Sequence, residues 1–186
     1  MPPSTALKTN MLRRFRRNRR GSAAVEFALV APIFFGVLFA IIELALVFFA
    51  SQILETVTQD TARLVMTGQA QGASLTKEQF KDAVCARLQV MFDCVNGVYV
   101  DVRSYPAFAS INISPPVDSS KSFVNDMKYC PGKDGDVVVV RLFYQWPIFV
   151  TGLGFNLTNL ANNKRLLTAT AAFQNEPFPT PGATCS

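Results

Sequence analysis

A run of 24 residues, 27–50, most constrains the fold, because its only ionisable side chain is Glu43. At about 1.5 Å per residue, a helix of this length extends roughly 36 Å, which is enough to cross a bilayer. We therefore predict one membrane-spanning helix near the start of the chain. A cleaved secretory signal is the obvious alternative, but its apolar core usually runs only about 7–15 residues.

Basic residues are concentrated before this run and are sparse after it. The first basic residue beyond the run is Arg63. The positive-inside rule therefore predicts that residues 1–20 are cytoplasmic and that the chain after about residue 50 is exported. The topology signal consists of six arginines: Arg13, Arg14, Arg16, Arg17, Arg19 and Arg20.

The formal charge of +5 does not indicate a nucleic-acid partner. Lys8 and the six arginines lie within residues 1–20, which contain no acidic residue. Subtracting those seven charges from +5 leaves −2 for residues 21–186. The basicity therefore belongs to the leader, and the remainder lacks the positive surface that phosphate backbones require.

Two helices are predicted beyond the membrane. Apolar residues continue at helical spacing through a stem, residues 51–72, until the glycines at 68 and 72 interrupt the pattern. A second helix is indicated by Thr76 as N-cap with Gln79 three residues later. Its apolar face would comprise Phe80, Val84, Leu88 and Met91, and it should end before Cys94.

Three strands are predicted from "VYVDVRS", "DVVVVRLFYQW" and "RLLTATAAF", which begin at residues 98, 136 and 165. The second is apolar on both faces in its first half, which is typical of a central strand. A long connection, residues 105–135, separates the first two strands, and a connection of that length is expected to be functional or tethered. The predicted fold class is α+β: a long N-terminal helix and a head in which one further helix packs on a three-stranded antiparallel sheet.

The glutamates at the two ends of the membrane segment require an explanation. An ionised carboxylate at the bilayer centre costs at least about 2.5–3.5 kcal/mol. Glu26 and Glu43 are separated by roughly 25 Å along a helix, so each would lie toward one interface. That placement lowers the cost of the charges without giving a reason for them.

The residues around Glu26 resemble a type IV prepilin processing signal of the tight-adherence (Tad, Flp) kind. A basic run is followed by Gly21, the residues "SAAV", then Glu26-Phe27 and the apolar segment. The later "LFAIIELALVFFASQILETVTQDTARLV" is similar to TadE-type pseudopilins, and the resemblance extends over most of residues 13–178. It implies a pilin-like division into a leader (1–21), a transmembrane and assembly helix (22–50), a stem (51–72) and a periplasmic head (73–186).

The resemblance implies that a prepilin peptidase cuts between Gly21 and Ser22 on the cytoplasmic side. The new α-amine on Ser22 could then pair with Glu26 of a neighbouring subunit, which would offset the desolvation of both charges and fix their register. The implied partners are the prepilin peptidase, the Flp major pilin, a TadF-like pseudopilin, an inner-membrane assembly platform and, before assembly, membrane lipid. An uncleaved signal anchor with a tolerated interfacial glutamate is the alternative.

The sequence leaves two interpretations of Glu43 open. It could make a polar contact with a partner pilin helix, or it could simply lie near the periplasmic interface.

The four cysteines, Cys85, Cys94, Cys130 and Cys185, all follow the membrane segment. An even number on one side of a membrane is typical of an oxidising compartment such as the bacterial periplasm, with free buried thiols as the alternative. Of the three possible connectivities we favour Cys85–Cys94 with Cys130–Cys185, the second pair joining the long connection to the C-terminal tail. The first pair requires the second helix to stop by about residue 90, because nine helical residues would separate the α-carbons by about 13 Å.

The chain has no histidine, which excludes histidine-dependent triads and His-ligated metals. No GxSxG, P-loop or GxGxxG pattern occurs. We therefore expect a non-enzymatic pilus protein without a cofactor or metal. The alternative function is an uncleaved single-pass inner-membrane protein with a periplasmic binding or sensing domain.

Overall fold

The computed structural model describes residues 21–88, 91–150, 156–179 and 185. Three α-helices are present in this part of the chain: α1 (Ser22–Met66), α2 (Gln69–Gly72) and α3 (Lys77–Cys85). They are accompanied by β1 (Val98–Tyr105), a short 3₁₀ helix (Phe108–Ser110), β2 (Val137–Pro147) and β3 (Lys164–Gln174). This is the long apolar helix followed by an α+β head that the sequence predicts.

Helix α1 passes through two compact units, one ending at Ile42 and the other beginning at Glu43. In the first unit the helix continues through Pro32, and nearly every large apolar side chain is exposed. Of the helices in the described residues, α1 alone is long and apolar enough to cross a membrane. The N-terminal unit is therefore a membrane anchor in length and composition.

In the second unit, α1 becomes part of a protein core. One stripe of the helix is buried at spacings of three or four residues, which places these positions on a single face. The stripe begins with Glu43 and continues with Val47, Ala50, Leu54, Val57, Thr58, Thr61, Ala62 and Val65. The hydroxyls of Thr58 and Thr61 donate to the carbonyls of Leu54 and Val57, so these buried polar groups are satisfied within the helix.

Gly68 lies just after the end of α1 and is contacted by Phe178 from the chain beyond β3. Its φ of 75° lies in the left-handed region that favours glycine. The ring of Phe178 covers the position where a side chain would project: a Cβ there would lie 2.5 Å from Phe178 Cγ. The Glu176 N–H also donates to the Met66 carbonyl, so the tail after β3 closes the end of α1.

The predicted N-terminus of the helix that follows the stem, α3, is confirmed. The Thr76 side chain accepts from the Gln79 N–H, and the Gln79 side chain accepts from the Thr76 N–H, forming a capping box. The helix ends at Cys85, earlier than the apolar pattern through Met91 suggests. Leu88 is nevertheless buried in the turn that follows, where the chain bends back so that the Cα atoms of Cys85 and Cys94 lie 5.7 Å apart.

The sheet is antiparallel in the order β1-β2-β3, so the central position predicted for the valine-rich strand is confirmed. Its two faces explain why β2 is apolar throughout its first half. One face shares a core with α1 and α3 through Val138, Val140 and Leu142. The opposite face carries Phe143, which packs with Phe123 and Met127 of the long connection.

The long connection also protects the free edge of β1. The Val102 N–H donates to the Lys128 carbonyl and the Cys130 N–H donates to the Val102 carbonyl, both at 2.8 Å. These bonds form a short parallel bridge where an edge strand would otherwise expose unpaired backbone groups. The connection is tethered a second time by the disulfide between Cys130 and Cys185, and both predicted cysteine pairs are present.

We predict that Gly68→Ala destabilises the head more than Gly135→Ala. Both glycines have φ near 75°, and a non-glycine residue in this region costs about 1–2 kcal/mol. A Cβ at Gly135 meets no atom within 4 Å, whereas one at Gly68 collides with Phe178. Thermal unfolding of the full chain in detergent micelles should give a larger loss for Gly68→Ala, and equal losses would contradict a close Phe178 contact.

Candidate functional site

The predicted processing segment lies where α1 begins. Gly21 immediately precedes the helix, Ser22 is its first residue, and the side chains of Glu26 and Phe27 are exposed. The six arginines of the predicted topology signal lie outside the described residues. Gly21 thus lies directly before α1, and Glu26 and Phe27 lie in its first two turns.

Among the described residues, none requires glycine at position 21. A Cβ built there meets none of their atoms within 4 Å, and their glycines with positive φ are Gly68, Gly132 and Gly135. The described part of the chain would therefore tolerate a side chain at this position.

The side chains that follow form an extensive exposed apolar surface. Phe27 is 68% exposed, and large apolar residues remain exposed on all sides of the helix through Ile42 and, outside the buried stripe, through Phe49. Monomeric soluble proteins rarely expose apolar patches larger than a few hundred Å². This segment therefore requires lipid or other apolar helices around it.

Glu43 has a contact that the sequence did not indicate. Its side chain is buried, and its two carboxylate oxygens accept hydrogen bonds from consecutive backbone N–H groups, those of Phe149 and, at 3.0 Å, Val150. A carboxylate that accepts from two backbone amides replaces part of the hydration it loses on burial. The side chain thereby joins the helix to the segment that follows β2, which neither of the two earlier interpretations included.

A second buried carboxylate lies on the face of the sheet that packs against the long connection. Asp101 on β1 lies directly across from Arg141 on β2 in the strand register, and their side chains form an ion pair at 2.6 Å. Asp101 also accepts from Arg103 Nε and from the Lys128 N–H, at 3.0 and 2.9 Å. Arg141 in turn donates to the Ser114 carbonyl, so the network holds the long connection over the sheet.

Sequence reasoning did not select Asp101 and Arg141, although a signal was present. Each is a charged residue in the middle of an apolar strand, a position where charges are almost never buried unless paired. Partial burial lowers the pKa of Arg103 beside them, but its hydrogen bond to Asp101 and the charges of Asp101 and Asp126 outweigh this, so the net shift is upward.

An open cleft of about 700 Å³ lies beside the Cys130–Cys185 disulfide. Its lining includes Arg103, Tyr105 and Lys128. The neighbouring Tyr129 is buried, and the loss of hydration raises the pKa of its phenol to about 12. Within the described residues, no group of three or more histidine, cysteine or acidic side chains is placed to hold a metal ion.

Comparison with known proteins identifies the N-terminal part of the chain. A sequence model of the family described as TadE-like protein matches residues 21–63. The match covers less than a quarter of the 186 residues and leaves the sheet outside it. No curated protein and no solved structure matches the chain.

We predict that Glu43→Gln weakens the attachment of residues 149 and 150. The substitution keeps the side-chain volume but replaces one acceptor oxygen with a donor that faces a backbone N–H. An unsatisfied buried donor costs about 1–3 kcal/mol. Hydrogen exchange at the two amides should accelerate, and thermal unfolding of the full chain in micelles should shift downward.

Glu55→Gln is the matched control for this experiment. Glu55 lies on the same helix, and its carboxylate accepts only an exposed hydrogen bond from Gln59. Such a surface pair contributes about 0.2–0.5 kcal/mol. Unchanged exchange at residues 149 and 150 in Glu43→Gln would show that the carboxylate does not hold them.

Proposed function

We propose that this chain is a TadE-like protein of the Tad pilus, on the match of residues 21–63 to that family, and that it is a minor pilin, or pseudopilin, cleaved by a prepilin peptidase after Gly21. One observation carries the proposal: the family match begins at Gly21, the last residue of the proposed leader. Similarity to the family thus starts at the junction where the mature chain would begin. The mature protein would serve in assembly or tip formation of an adhesive pilus.

The geometry of the helix start supports processing at this position. Gly21 is exposed, and no atom of the fold would oppose a larger residue there. A peptidase that must bring the backbone close to its catalytic groups provides a reason for glycine that the fold does not. Cleavage of the Gly21–Ser22 bond by water would leave a carboxylate on Gly21 and an α-ammonium on Ser22.

The new ammonium gives Glu26 a role in assembly. Glu26 becomes the fifth residue of the mature chain, in a helix whose neighbouring side chains are exposed and apolar. When such helices pack together, an ammonium of one subunit and the Glu26 carboxylate of the next can pair in a region of low dielectric constant. A buried pair of this kind is weak evidence for stability, but it can specify the register of one helix against the next.

The exposed apolar surface of α1 would be covered first by lipid and later by the helices of other subunits. Lipid would surround residues 27–42 while the protein is held in the inner membrane, and the helices of other pilins would surround them in the filament. The positive-inside rule places the leader in the cytoplasm and the head in the periplasm. Two disulfides in the head agree with an oxidising compartment.

The proposed partners follow from this cycle. They are the prepilin peptidase, the Flp major pilin, a TadF-like pseudopilin, the inner-membrane assembly platform and membrane lipid. The proposed role is structural, with neither catalysis nor nucleic-acid binding.

An uncleaved single-pass protein with a periplasmic binding domain is the second candidate. The open cleft beside Cys130 and Cys185 favours it, because a concave surface lined by Arg103 and Lys128 could receive an acidic group. The two functions differ in the covalent state of the N-terminus. A mature chain beginning at Ser22 supports the pilin, whereas one beginning at Met1 or Pro2 supports the anchored binding protein.

We predict that Gly21→Val blocks removal of the leader without disturbing the head. The fold has open space at this Cβ, so thermal unfolding and formation of both disulfides should match the parent chain. Intact-mass measurement of protein from cells containing the peptidase should give a chain starting at Ser22 for the parent and a full-length chain for the variant. Retention of the arginine-rich leader by the parent protein in purified pili would contradict the proposal.

We predict that Glu26→Ala is inserted and processed normally but is not incorporated into filaments. The substitution removes the carboxylate that would face the neighbouring ammonium and leaves the apolar helix intact. Membrane fractionation and mass measurement report insertion and cleavage, and immunoblots of sheared pili report incorporation. Glu55→Ala, at a half-buried position on the stem, should be incorporated like the parent, and normal incorporation of Glu26→Ala would refute the pairing role.

A further inference from the structure

The end of the head beside Glu43 is free of charge along two segments that are distant in sequence. Residues 44–54 of α1 contain no acidic or basic side chain, and neither do residues 142–150. The two hydrogen bonds from Phe149 and Val150 to the Glu43 carboxylate bring these segments together. Two basic residues border these segments, because Lys164 pairs with Pro147 and Arg165 with Trp146 in the strand register.

The same end exposes large apolar side chains. Phe149 is 82% exposed, although Ile148 before it is buried. On α1, Leu44, Leu46, Phe48 and Phe49 are also exposed. These helix residues continue the apolar sequence that gives α1 its membrane-spanning length. Phe149 is therefore exposed next to the residue that accepts its N–H, Glu43, which is the first residue of the second compact unit.

The hydrogen bonds of Glu43 make this arrangement compatible with lipid. Non-regular backbone enters an apolar medium only when its polar groups have internal partners. The chain after Pro147 has left the sheet, and the N–H groups of Phe149 and Val150 find their acceptors in the Glu43 carboxylate. The carboxylate in turn gains two donors, which lowers the cost of holding a negative charge away from water.

We propose that residues 147–150 form a second contact with the bilayer, in which Phe149 inserts among lipids at the interface where α1 leaves the membrane. Aromatic side chains are enriched at such interfaces. The occupant of this surface is phospholipid, and the contact orients the head against the membrane before any assembly step. The inference rests on the membrane anchor and is independent of the proposed processing and pilus role.

Depth-dependent fluorescence quenching tests the contact in the full chain. Trp146 is the only tryptophan, so Trp146→Phe provides a background for single reporters. Phe149→Trp places the reporter at the proposed contact. Phe108→Trp is the matched control, because Phe108 is also exposed, at 56%, but lies in the short 3₁₀ helix of the long connection.

Both proteins are reconstituted at high lipid-to-protein ratio in phosphatidylcholine vesicles that contain brominated phosphatidylcholine. We expect brominated lipid to quench the reporter at 149 several-fold more than the reporter at 108, and aqueous acrylamide to show the opposite order. Equal accessibility to acrylamide at both positions would overturn the proposal. Protection of position 149 from both quenchers would also overturn it, because a second copy of the chain would then cover the surface.

A photoreactive residue provides the same comparison if the Trp146→Phe background does not fold. A diazirine amino acid at position 149 or 108 leaves Trp146 and the rest of the chain unchanged. Covalent lipid adducts at 149 with none at 108 would support the contact. Adducts at neither position, or protein crosslinks at 149, would refute it.

Discussion

The two hydrogen bonds accepted by Glu43 mark the point where one helix changes its surroundings. Before this residue α1 exposes its apolar side chains, and from this residue onward it buries one stripe in the core of the head. A single continuous helix must therefore satisfy two solvents, lipid and protein. The carboxylate provides a polar attachment at the boundary, because purely apolar contacts would not fix where the head begins along an apolar helix.

The sheet depends on a comparable arrangement. Its central strand is apolar on both faces because one face meets the helices and the other meets the long connection. The Asp101–Arg141 pair interrupts this second face with a buried charge on each of two neighbouring strands. Paired buried charges contribute little net stability compared with apolar residues, but removing one partner typically costs about 3–5 kcal/mol. The pair therefore selects one register of β1 against β2 and one path for the connection that crosses them.

Elements that depend on residues close together in the sequence could be predicted from it. The capping box at Thr76 and Gln79 follows from a three-residue spacing, and the central strand follows from its valine run. The early end of α3 at Cys85 could not be predicted from the apolar pattern. Leu88 remains buried after the helix has ended, so the helical spacing of apolar residues continues. The partner of Glu43 lies 106 residues away and is a pair of backbone groups, which carry no sequence signal. The Asp101–Arg141 contact needs the strand register before its two charges can be paired.

The last described residues contact segments that lie far before them in the sequence. Glu176 bonds to the last turn of α1, Phe178 covers Gly68, and Cys185 is joined to Cys130. These contacts link residues that are far apart in the sequence, and contacts of this kind slow folding because the loop between the residues must first be closed. The head therefore cannot reach its final structure until residue 185 has emerged from the ribosome and from any translocation channel. In the proposed export, the polypeptide would be an incomplete domain attached to an apolar helix throughout translocation, and the Cys130–Cys185 disulfide would form only after residue 185 had crossed the membrane.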